Sequence, residues 1–289
     1  MICLNPFARV ETIRGPAGGI QTLRIVAPVK GRGLQATKIA HDEDPAAFDR
    51  AKRAVLTALF DAQAGRDPWN AAADWERELL ERSGLFVSDA ERPRPVVFDA
   101  PIPSSVDVGK VSAIGATGFT VARGVVQGDL LASLRGYYDR LIAEGFATYG
   151  GEGGEPHRWV VHNEAVARRL YGLVSLVAVS AAGEPLKPSF TYLLKYLEGA
   201  TLEPHRDREQ CAVTAVLQVD FDPEPGGVSP WPLFFKTSSA LDAVFLALGD
   251  LVVFRGTQID HYREALACGR SSTNLAFCFV PKDYDGPLD

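Results

Sequence analysis

The stretch T-L-E-P-H-R-D at residues 201–207 places a histidine, His205, two positions before a carboxylate, Asp207. A second histidine, His261, follows in G-D-L-V-V-F-R-G-T-Q-I-D-H-Y at residues 249–262. Side chains alternate between the two faces of a strand, so an H-x-D on a strand or at its end can present both side chains to one metal ion. Two imidazoles and one carboxylate occupy one face of an octahedral ferrous ion and leave the opposite face open for other ligands. The spacing therefore predicts a mononuclear iron site, with the third ligand supplied by a different strand.

Arg270 and Ser272 follow closely in the stretch G-R-S-S at residues 269–272. Because they are two positions apart, a strand through them would direct a guanidinium and a hydroxyl into the same cavity. The planar fork of N–H donors on an arginine is a favourable partner for a carboxylate. Residues 249–254, G-D-L-V-V-F, predict a turn and a short strand ahead of a loop that runs to His261. The pattern predicts an enzyme site in which a co-substrate carboxylate binds beside the metal.

These five residues, in this order, resemble the pattern of the iron(II)/2-oxoglutarate-dependent oxygenases, which is H-x-D, a distal His and then an Arg-x-Ser. The resemblance implies Fe(II) as the metal, with 2-oxoglutarate and O2 as co-substrates. It implies that the metal ligands are His205, Asp207 and His261. It also implies that Arg270 and Ser272 hold the distal carboxylate of 2-oxoglutarate. An H-x-D alone is a weak indication, whereas the ordered set of five is specific.

Three further residues are carried over from the same resemblance. The strand before the H-x-D often bears an aromatic hydroxyl near the co-substrate, and Tyr192 and Tyr196 share one face of residues 189–200, with Tyr196 the better match. Gln218 stands where relatives often have a tyrosine, and its amide can still donate a hydrogen bond. All three are predicted to bind the co-substrate. A plain core role for the two tyrosines is the alternative.

Other polar residues have structural roles as their first interpretation. A lone buried histidine is more often a hydrogen-bonded structural residue than a ligand, and this is the expectation for His41, His157 and His162. Arg158 and Trp159, beside the glycine-rich residues 150–156, are weak candidates for the mouth of a substrate site. Two residues of the main site also have a purely structural alternative. Asp207 could be a turn residue, and Arg270 could be a surface arginine.

Composition bounds the class of protein. The 289 residues carry 30 basic and 36 acidic side chains, a net charge of −6, so no nucleic-acid partner is indicated. Four cysteines without a C-x-x-C spacing favour neither a zinc site nor a disulfide framework. The N-terminal residues show no basic region followed by an apolar run, and no long apolar segment predicts a membrane partner. A cytoplasmic location is expected, and the oligomeric state stays open.

The predicted fold class is α+β, with two domains. Residues 1–90 predict a small α+β domain, in which two strands precede a helix that Asp44 caps. Residues 91–105 form a proline-rich linker, and residues 106–289 form the oxygenase domain. In that domain helices precede a series of strands, which favours a double-stranded β-helix, a jelly-roll or cupin-like architecture with supporting helices. Asn163 is predicted to cap one of these helices.

The N-terminal domain faintly resembles the winged-helix domains that recognise leader peptides in enzymes modifying ribosomally made peptides. A packing or dimerisation unit without a ligand is the alternative. If the resemblance holds, the substrate is a peptide, and the predicted reaction is hydroxylation of an unactivated C–H in an amino-acid side chain. The family's halogenases replace the carboxylate ligand with a small residue, so Asp207 favours hydroxylation, desaturation or cyclisation. The same chemistry on a free amino acid or a small secondary metabolite, and a non-catalytic 2-oxoglutarate or metal sensor, remain alternatives.

Overall fold

A computed structural model describes most of the chain and divides it into two compact units. The described residues are 2–16, 18–115, 117–150, 156–237 and 240–288. The first unit comprises Met1–Val96 and Asp139–Thr148. The second unit comprises Val97–Tyr138 and Tyr149–Asp289.

The N-terminal unit contains two small antiparallel sheets. Its strands are β1 (Ile2–Leu4), β2 (Arg9–Arg14), β3 (Ile20–Val29), β4 (Gly33–Ala40) and β5 (Phe86–Ser88). One sheet has the order β2-β3-β4 and the other pairs β1 with β5. The two strands predicted before the first helix correspond to β3 and β4. The sequence did not indicate β2, because nearly all its side chains are exposed and it lacks a buried face.

Three helices follow β4 in the N-terminal unit. They are α1 (Pro45–Gln63), α2 (Pro68–Ala71) and α3 (Asp74–Arg82). The Asp44 carboxylate accepts a hydrogen bond from the Ala47 backbone N–H, so the predicted N-cap is confirmed. Phe48, Val55 and Leu80 of these helices are buried in one hydrophobic cluster with residues of β3. The unit is α+β, as predicted, and its winged-helix character remains a prediction.

The proline-rich segment has no regular secondary structure. Residues 89–107 form neither helix nor strand. The assignment of residues 91–105 as a linker between domains stays a prediction.

The second unit has one large and one small antiparallel sheet. Their strands are β6 (Phe119–Ala122), β7 (Thr148–Tyr149), β8 (Arg158–His162), β9 (Leu186–Tyr196), β10 (Leu202–His205), β11 (Val213–Asp222), β12 (Leu233–Lys236), β13 (Leu241–Val244), β14 (Leu251–Phe254), β15 (Asp260–Arg263) and β16 (Ser271–Pro281). The large sheet has the order β6-β14-β11-β16-β9-β8-β7, and the small one β10-β15-β12-β13. The predicted combination of helices and a large antiparallel sheet is confirmed.

Two long helices accompany these sheets, α4 (Gly128–Ala143) and α5 (Ala165–Ala182). The cap of α5 differs from the prediction. Asn163 has a positive φ of 51°, and the N-cap is Glu164, whose carboxylate accepts hydrogen bonds from the N–H groups of Val166 and Ala167. The correction has a physical reason: Asn163 tolerates the left-handed conformation that turns the chain into the helix, which leaves the capping position to the next residue.

Among the described residues, one helix is long and apolar enough to cross a membrane by length and composition. It is α5, with a hydropathy of 1.4 over 18 residues. Its buried side chains include Leu170, Leu173, Val174 and Val177. A helix that buries one face in this way is typical of a protein core.

Candidate metal centre

The two histidines of the predicted site face each other across neighbouring strands. His205 ends β10, His261 lies in β15, and the two are direct partners in the antiparallel register. Paired residues of this kind project from the same face of a sheet. Asp207 lies just beyond β10, with its Oδ1 3.5 Å from His205 Nε2 and 3.6 Å from His261 Nε2. The three potential ligand atoms lie within 4.8 Å of one another, so the structure brings together the three residues predicted to hold the metal.

Backbone carbonyls orient both imidazoles. His205 Nδ1 lies 2.8 Å from the Glu203 carbonyl oxygen, and His261 Nδ1 lies 3.2 Å from the Ile259 carbonyl oxygen. A carbonyl oxygen can only accept, so each Nδ1 carries the hydrogen and each neutral ring presents its Nε2 lone pair. Metal-binding histidines are commonly held in this way. Both rings therefore have the tautomer and the orientation that a metal ion requires.

Asp207 is fixed from three sides. Its backbone N–H donates to the Gly256 carbonyl at 2.9 Å, and the Thr214 hydroxyl donates to Asp207 Oδ2 at 2.5 Å. A Cβ at Gly256 would lie 2.3 Å from Asp207 Oδ2 and 2.4 Å from the Cys211 carbonyl oxygen. No side chain fits at this position, so glycine allows the close approach of the loop after β14 to the carboxylate.

The pKa shifts of Asp207 and His261 favour the ionisation states that a cation requires, whereas that of His205 favours the protonated ring. A hydrogen bond to Asp207 raises the pKa of His205, whereas burial lowers the pKa of His261. Burial of Asp207 opposes its ionisation, but its interactions with His205, His261 and Thr214 outweigh that effect and keep its pKa below the usual value. The donor set of two imidazole nitrogens and one carboxylate oxygen fits an iron(II) ion.

The cluster opens into a cavity of about 750 Å³ between the two sheets of the second unit. The small sheet contributes His205, His261 and Arg263 to the wall. The large sheet contributes Val160, Tyr192, Leu194, Tyr196, Thr214, Val216, Asn274, Ala276 and Cys278. A metal held by the three residues would therefore face a space that is large enough for further ligands.

A buried arginine lies in the same cavity. Arg263 follows His261 by two positions in β15 and is 4% exposed. Its guanidinium donates to the Trp231 carbonyl at 2.6 Å and to Asn274 Oδ1 at 3.4 Å, and it lies 4.4 Å from the centroid of the Trp231 ring. Burial lowers its pKa to about 10, and no ion pair with it is found among the described residues. A buried cation without an anion is energetically costly, so a carboxylate bound in the cavity would supply the missing charge.

Comparison with solved structures assigns the fold. The non-heme alpha-ketoglutarate-dependent carbocyclase SnoK from nogalamycin biosynthesis matches with a TM-score of 0.50, at 13% sequence identity, over 62% of this chain and 87% of that chain. This chain has the fold of the iron(II)/2-oxoglutarate-dependent oxygenases. No family model matches the sequence. No curated protein matches it either.

Two other oxygenase structures match over similar shares of this chain. HygX from Streptomyces hygroscopicus, solved with nickel and 2-oxoglutarate bound, matches with a TM-score of 0.47 at 16% identity, over 59% of this chain and 85% of that chain. A Pseudomonas putida prolyl-4-hydroxylase matches with a TM-score of 0.45 at 19% identity, over 57% of this chain and 93% of that chain. At such low identities the function has to be argued from the residues of the site.

Within the oxygenase fold, the predicted carboxylate clamp takes a different place from that of Arg263. Arg270 is half-buried and lies immediately before β16, and it is not among the described residues that line the cavity. Ser272 is buried, and its hydroxyl accepts hydrogen bonds from Gln218 Nε2 and Asn274 Nδ2, both at 3.0 Å. Ser272 thus links Gln218 to Asn274, which lines the cavity, but neither Ser272 nor Gln218 is among the described lining residues. The clamp role of Arg270 stays a prediction that this geometry does not favour.

The remaining candidates divide between the cavity and its surroundings. Tyr192 and Tyr196 both line the cavity, and the Tyr196 ring lies 5.0 Å from that of Trp231. Arg158 also lines it, whereas Trp159 packs edge-on against Tyr149 with 5.1 Å between ring centroids. Part of the glycine-rich segment, residues 151–155, lies outside the described residues.

Arg263 is the one functional candidate that the sequence analysis missed. The same alternation that pairs His205 with Asp207 also pairs His261 with Arg263 in the stretch H-Y-R. The two-residue spacing between His261 and Arg263 could therefore have indicated Arg263 from the sequence.

Proposed function

We propose that this chain is an Fe(II)- and 2-oxoglutarate-dependent dioxygenase that hydroxylates an unactivated C–H of an amino-acid side chain within a peptide. One observation carries the proposal: His205, Asp207 and His261 converge in a cavity that also holds the buried Arg263. A site that only stored a metal would not need a buried cation beside it. A sensor without turnover is the alternative from another class of protein.

The chain's own residues would perform three tasks in this reaction. The two imidazoles and the Asp207 carboxylate would hold Fe(II), and Asp207 would fill the position that a halide takes in the family's halogenases. Arg263 would bind the distal carboxylate of 2-oxoglutarate and so fix the orientation of its keto acid towards the metal. The apolar wall, which includes Leu194 and Val216, would exclude water. When bound, the iron supplies O2-dependent oxidation of a C–H bond, coupled to conversion of 2-oxoglutarate to succinate and CO2.

The assignment of Arg263 as the clamp rests on its burial and its free charge. Its guanidinium keeps two hydrogen bonds to neutral acceptors, which leaves N–H donors for a carboxylate. Asn274 and Tyr196 line the cavity beside it. Hydrogen bonds between charged groups are about twice as strong as neutral ones, and burial strengthens them further.

The edge strand of the N-terminal unit supports a peptide substrate. β4 lies at the edge of its sheet, and the Leu34 N–H donates to the Ala147 carbonyl instead of to β3. Alternate residues of such a strand direct both backbone groups to the same side. Ala36, Lys38 and Ala40 therefore direct their N–H and C=O groups outwards, where an extended peptide can pair with them.

A cavity lies along this part of β4. It has a volume of about 400 Å³ and is lined by residues of β4, α1 and α3, including Lys38, Phe48 and Trp75. Trp75 is 46% exposed, although tryptophan is commonly buried. Backbone pairing would supply affinity, and contacts to Phe48 and Trp75 would select the side chains of the peptide.

Two measurements test the chemistry and the substrate separately. Succinate formation from 2-oxoglutarate in the presence of Fe(II) and O2 distinguishes an enzyme from a sensor, and it should stop in Asp207→Ala. Intact-mass analysis of peptides encoded beside this gene should show a gain of about 16 Da, one oxygen atom. Succinate without any oxidised peptide, but with an oxidised free amino acid or small metabolite, would reject the peptide and leave the chemistry standing.

A matched pair of variants isolates the edge strand. Lys38→Pro removes one outward N–H, which an edge strand tolerates, whereas Lys38→Ala keeps it. We expect Lys38→Pro to lose peptide oxidation but keep peptide-independent succinate formation, and Lys38→Ala to keep both. Equal peptide oxidation by the two variants would reject the role of β4.

A further inference from the structure

Two cysteines from distant parts of the chain meet in the wall of the metal cavity. Cys211 ends the short 3-10 turn Glu209–Cys211, and Cys278 lies in β16, 67 residues later. Their sulfur atoms are 2.6 Å apart, and the two residues are only 5% and 3% exposed. We propose that Cys211 and Cys278 are a redox modification site, which forms an intramolecular disulfide when the protein meets hydrogen peroxide.

The surroundings of this pair favour a specific reaction. Both cysteines line the cavity, so a small oxidant can reach their sulfur atoms from the same space that holds the metal ligands. Elsewhere they are enclosed by an apolar cluster with Phe190 and Tyr192. Because each sulfur lies 2.6 Å from the other, the second thiol of the pair is already in place to react with an oxidised sulfur. Intramolecular pairing is therefore the favoured outcome of oxidation.

The other two cysteines have no comparable arrangement. Cys3 donates from its Sγ to the Val87 carbonyl, and Cys268 is exposed and donates to Glu198. The interaction with Glu198 raises the pKa of Cys268, which reduces its fraction of reactive thiolate. These two residues serve as internal references for the reactivity of an ordinary thiol in the same protein.

The reaction balances with peroxide as the only oxidant. The Cys211 sulfur attacks one peroxide oxygen, the O–O bond breaks, and a sulfenic acid and one water form. The Cys278 sulfur then displaces the hydroxyl as a second water, and the S–S bond closes. Burial raises the pKa of Cys278, so its thiol keeps its proton until the second step, in which that proton leaves with the displaced hydroxyl as water. The two thiols lose two electrons and two protons in total.

The disulfide would form close to a metal ligand. The Thr214 hydroxyl, which donates to Asp207 Oδ2, lies 3.5 Å from the Cys211 carbonyl oxygen. Thr214 is also the direct partner of Cys278 in the antiparallel register of β11 and β16. The cross-link would thus tie the turn after Asp207 to β16 of the large sheet.

Thiol counting tests the proposal on the full-length protein. The reduced protein is treated with a slight excess of hydrogen peroxide, denatured and alkylated with N-ethylmaleimide. Its four cysteines should give four adducts before treatment and two after it. The mass before alkylation should fall by about 2 Da, the two hydrogens lost, and a reductant should reverse the change. Peptide mapping should identify one cross-linked pair, Cys211 with Cys278.

Variants with single cysteines replaced supply the controls. Cys278→Ser and Cys211→Ser should each abolish the cross-link, whereas Cys268→Ser should form it as the unmodified chain does. Retention of four adducts, a cross-link through Cys3 or Cys268, or stable addition of oxygen at Cys211 would each overturn the proposal. If the two core variants do not fold, the peptide map of the unmodified chain decides the question alone.

Discussion

Replacement of Arg263 by glutamine provides a sharp test of the co-substrate site. The guanidinium is 4% exposed, and burial lowers its pKa to about 10, but it remains charged at neutral pH. Truncating one partner of a buried charged pair costs about 2–5 kcal/mol. Because glutamine retains a neutral donor, we expect Arg263→Gln to cost about 3 kcal/mol of binding free energy. This loss corresponds to a ~150-fold increase in the Kd for 2-oxoglutarate. Arg270→Gln is the matched control and should leave the Kd unchanged.

Calorimetric titration with Mn(II) in place of iron, under nitrogen, measures this Kd without turnover. Thermal unfolding offers a second measurement. At ~100 times its Kd, 2-oxoglutarate should stabilise the unmodified chain by about 2.7 kcal/mol, and at the same concentration it should stabilise Arg263→Gln by about 0.3 kcal/mol. For a unit of this size the first value corresponds to a rise in Tm of roughly 5 to 11 °C. Weak binding by Arg270→Gln, together with unchanged binding by Arg263→Gln, would refute the assignment and return the clamp to Arg270.

Three further predictions concern the support of the metal ligands. Gly256→Ala should weaken Mn(II) binding at least ~10-fold, because its Cβ would lie 2.3 Å from Asp207 Oδ2; an unchanged Kd by calorimetry would contradict the close approach. Thr214→Val removes the hydrogen bond to Asp207 and should weaken Mn(II) binding about 10- to 100-fold, with Thr214→Ser restoring it. The pKa of His205 is raised in the metal-free fold because the protonated ring bonds to Asp207. This bond therefore stabilises the metal-free fold fully at a pH below the pKa of an unfolded histidine. The stabilisation is lost as the pH rises through the raised pKa of His205. Metal affinity should change in the opposite direction, increasing from about pH 6 to 8 as the ring loses its proton, and a flat profile in a pH series of titrations would count against this state.

Local pattern predicted much of the site, because its residues obey strand alternation. The face shared by Tyr192, Leu194 and Tyr196 does line the cavity. Asn274 follows Ser272 by two positions, so the same alternation accounts for its place in the cavity wall. The helix cap at Asp44 also followed from local chemistry, since aspartate before proline is a strong helix start.

The choice between the two arginines depended on tertiary structure. Arg263 and Arg270 both have the parity of a cavity-facing residue, so alternation cannot separate them. Arg270 precedes β16, which begins at Ser271, and the cavity begins only at Asn274. The position at which β16 enters the cavity wall depends on its pairing with β9 and β11. No local sequence pattern specifies that pairing. The same limit applies to β15, the four-residue strand that holds His261 at the end of a segment predicted as a loop.

Anaerobic equilibrium dialysis with Fe(II) tests the central claim most directly. The unmodified chain should bind one ferrous ion, and His205→Ala and His261→Ala should each weaken that binding by at least about 100-fold, more than the loss of a supporting hydrogen bond. Binding of Fe(II) by both variants with the affinity of the unmodified chain would contradict the claim that these two histidines and Asp207 form one metal centre.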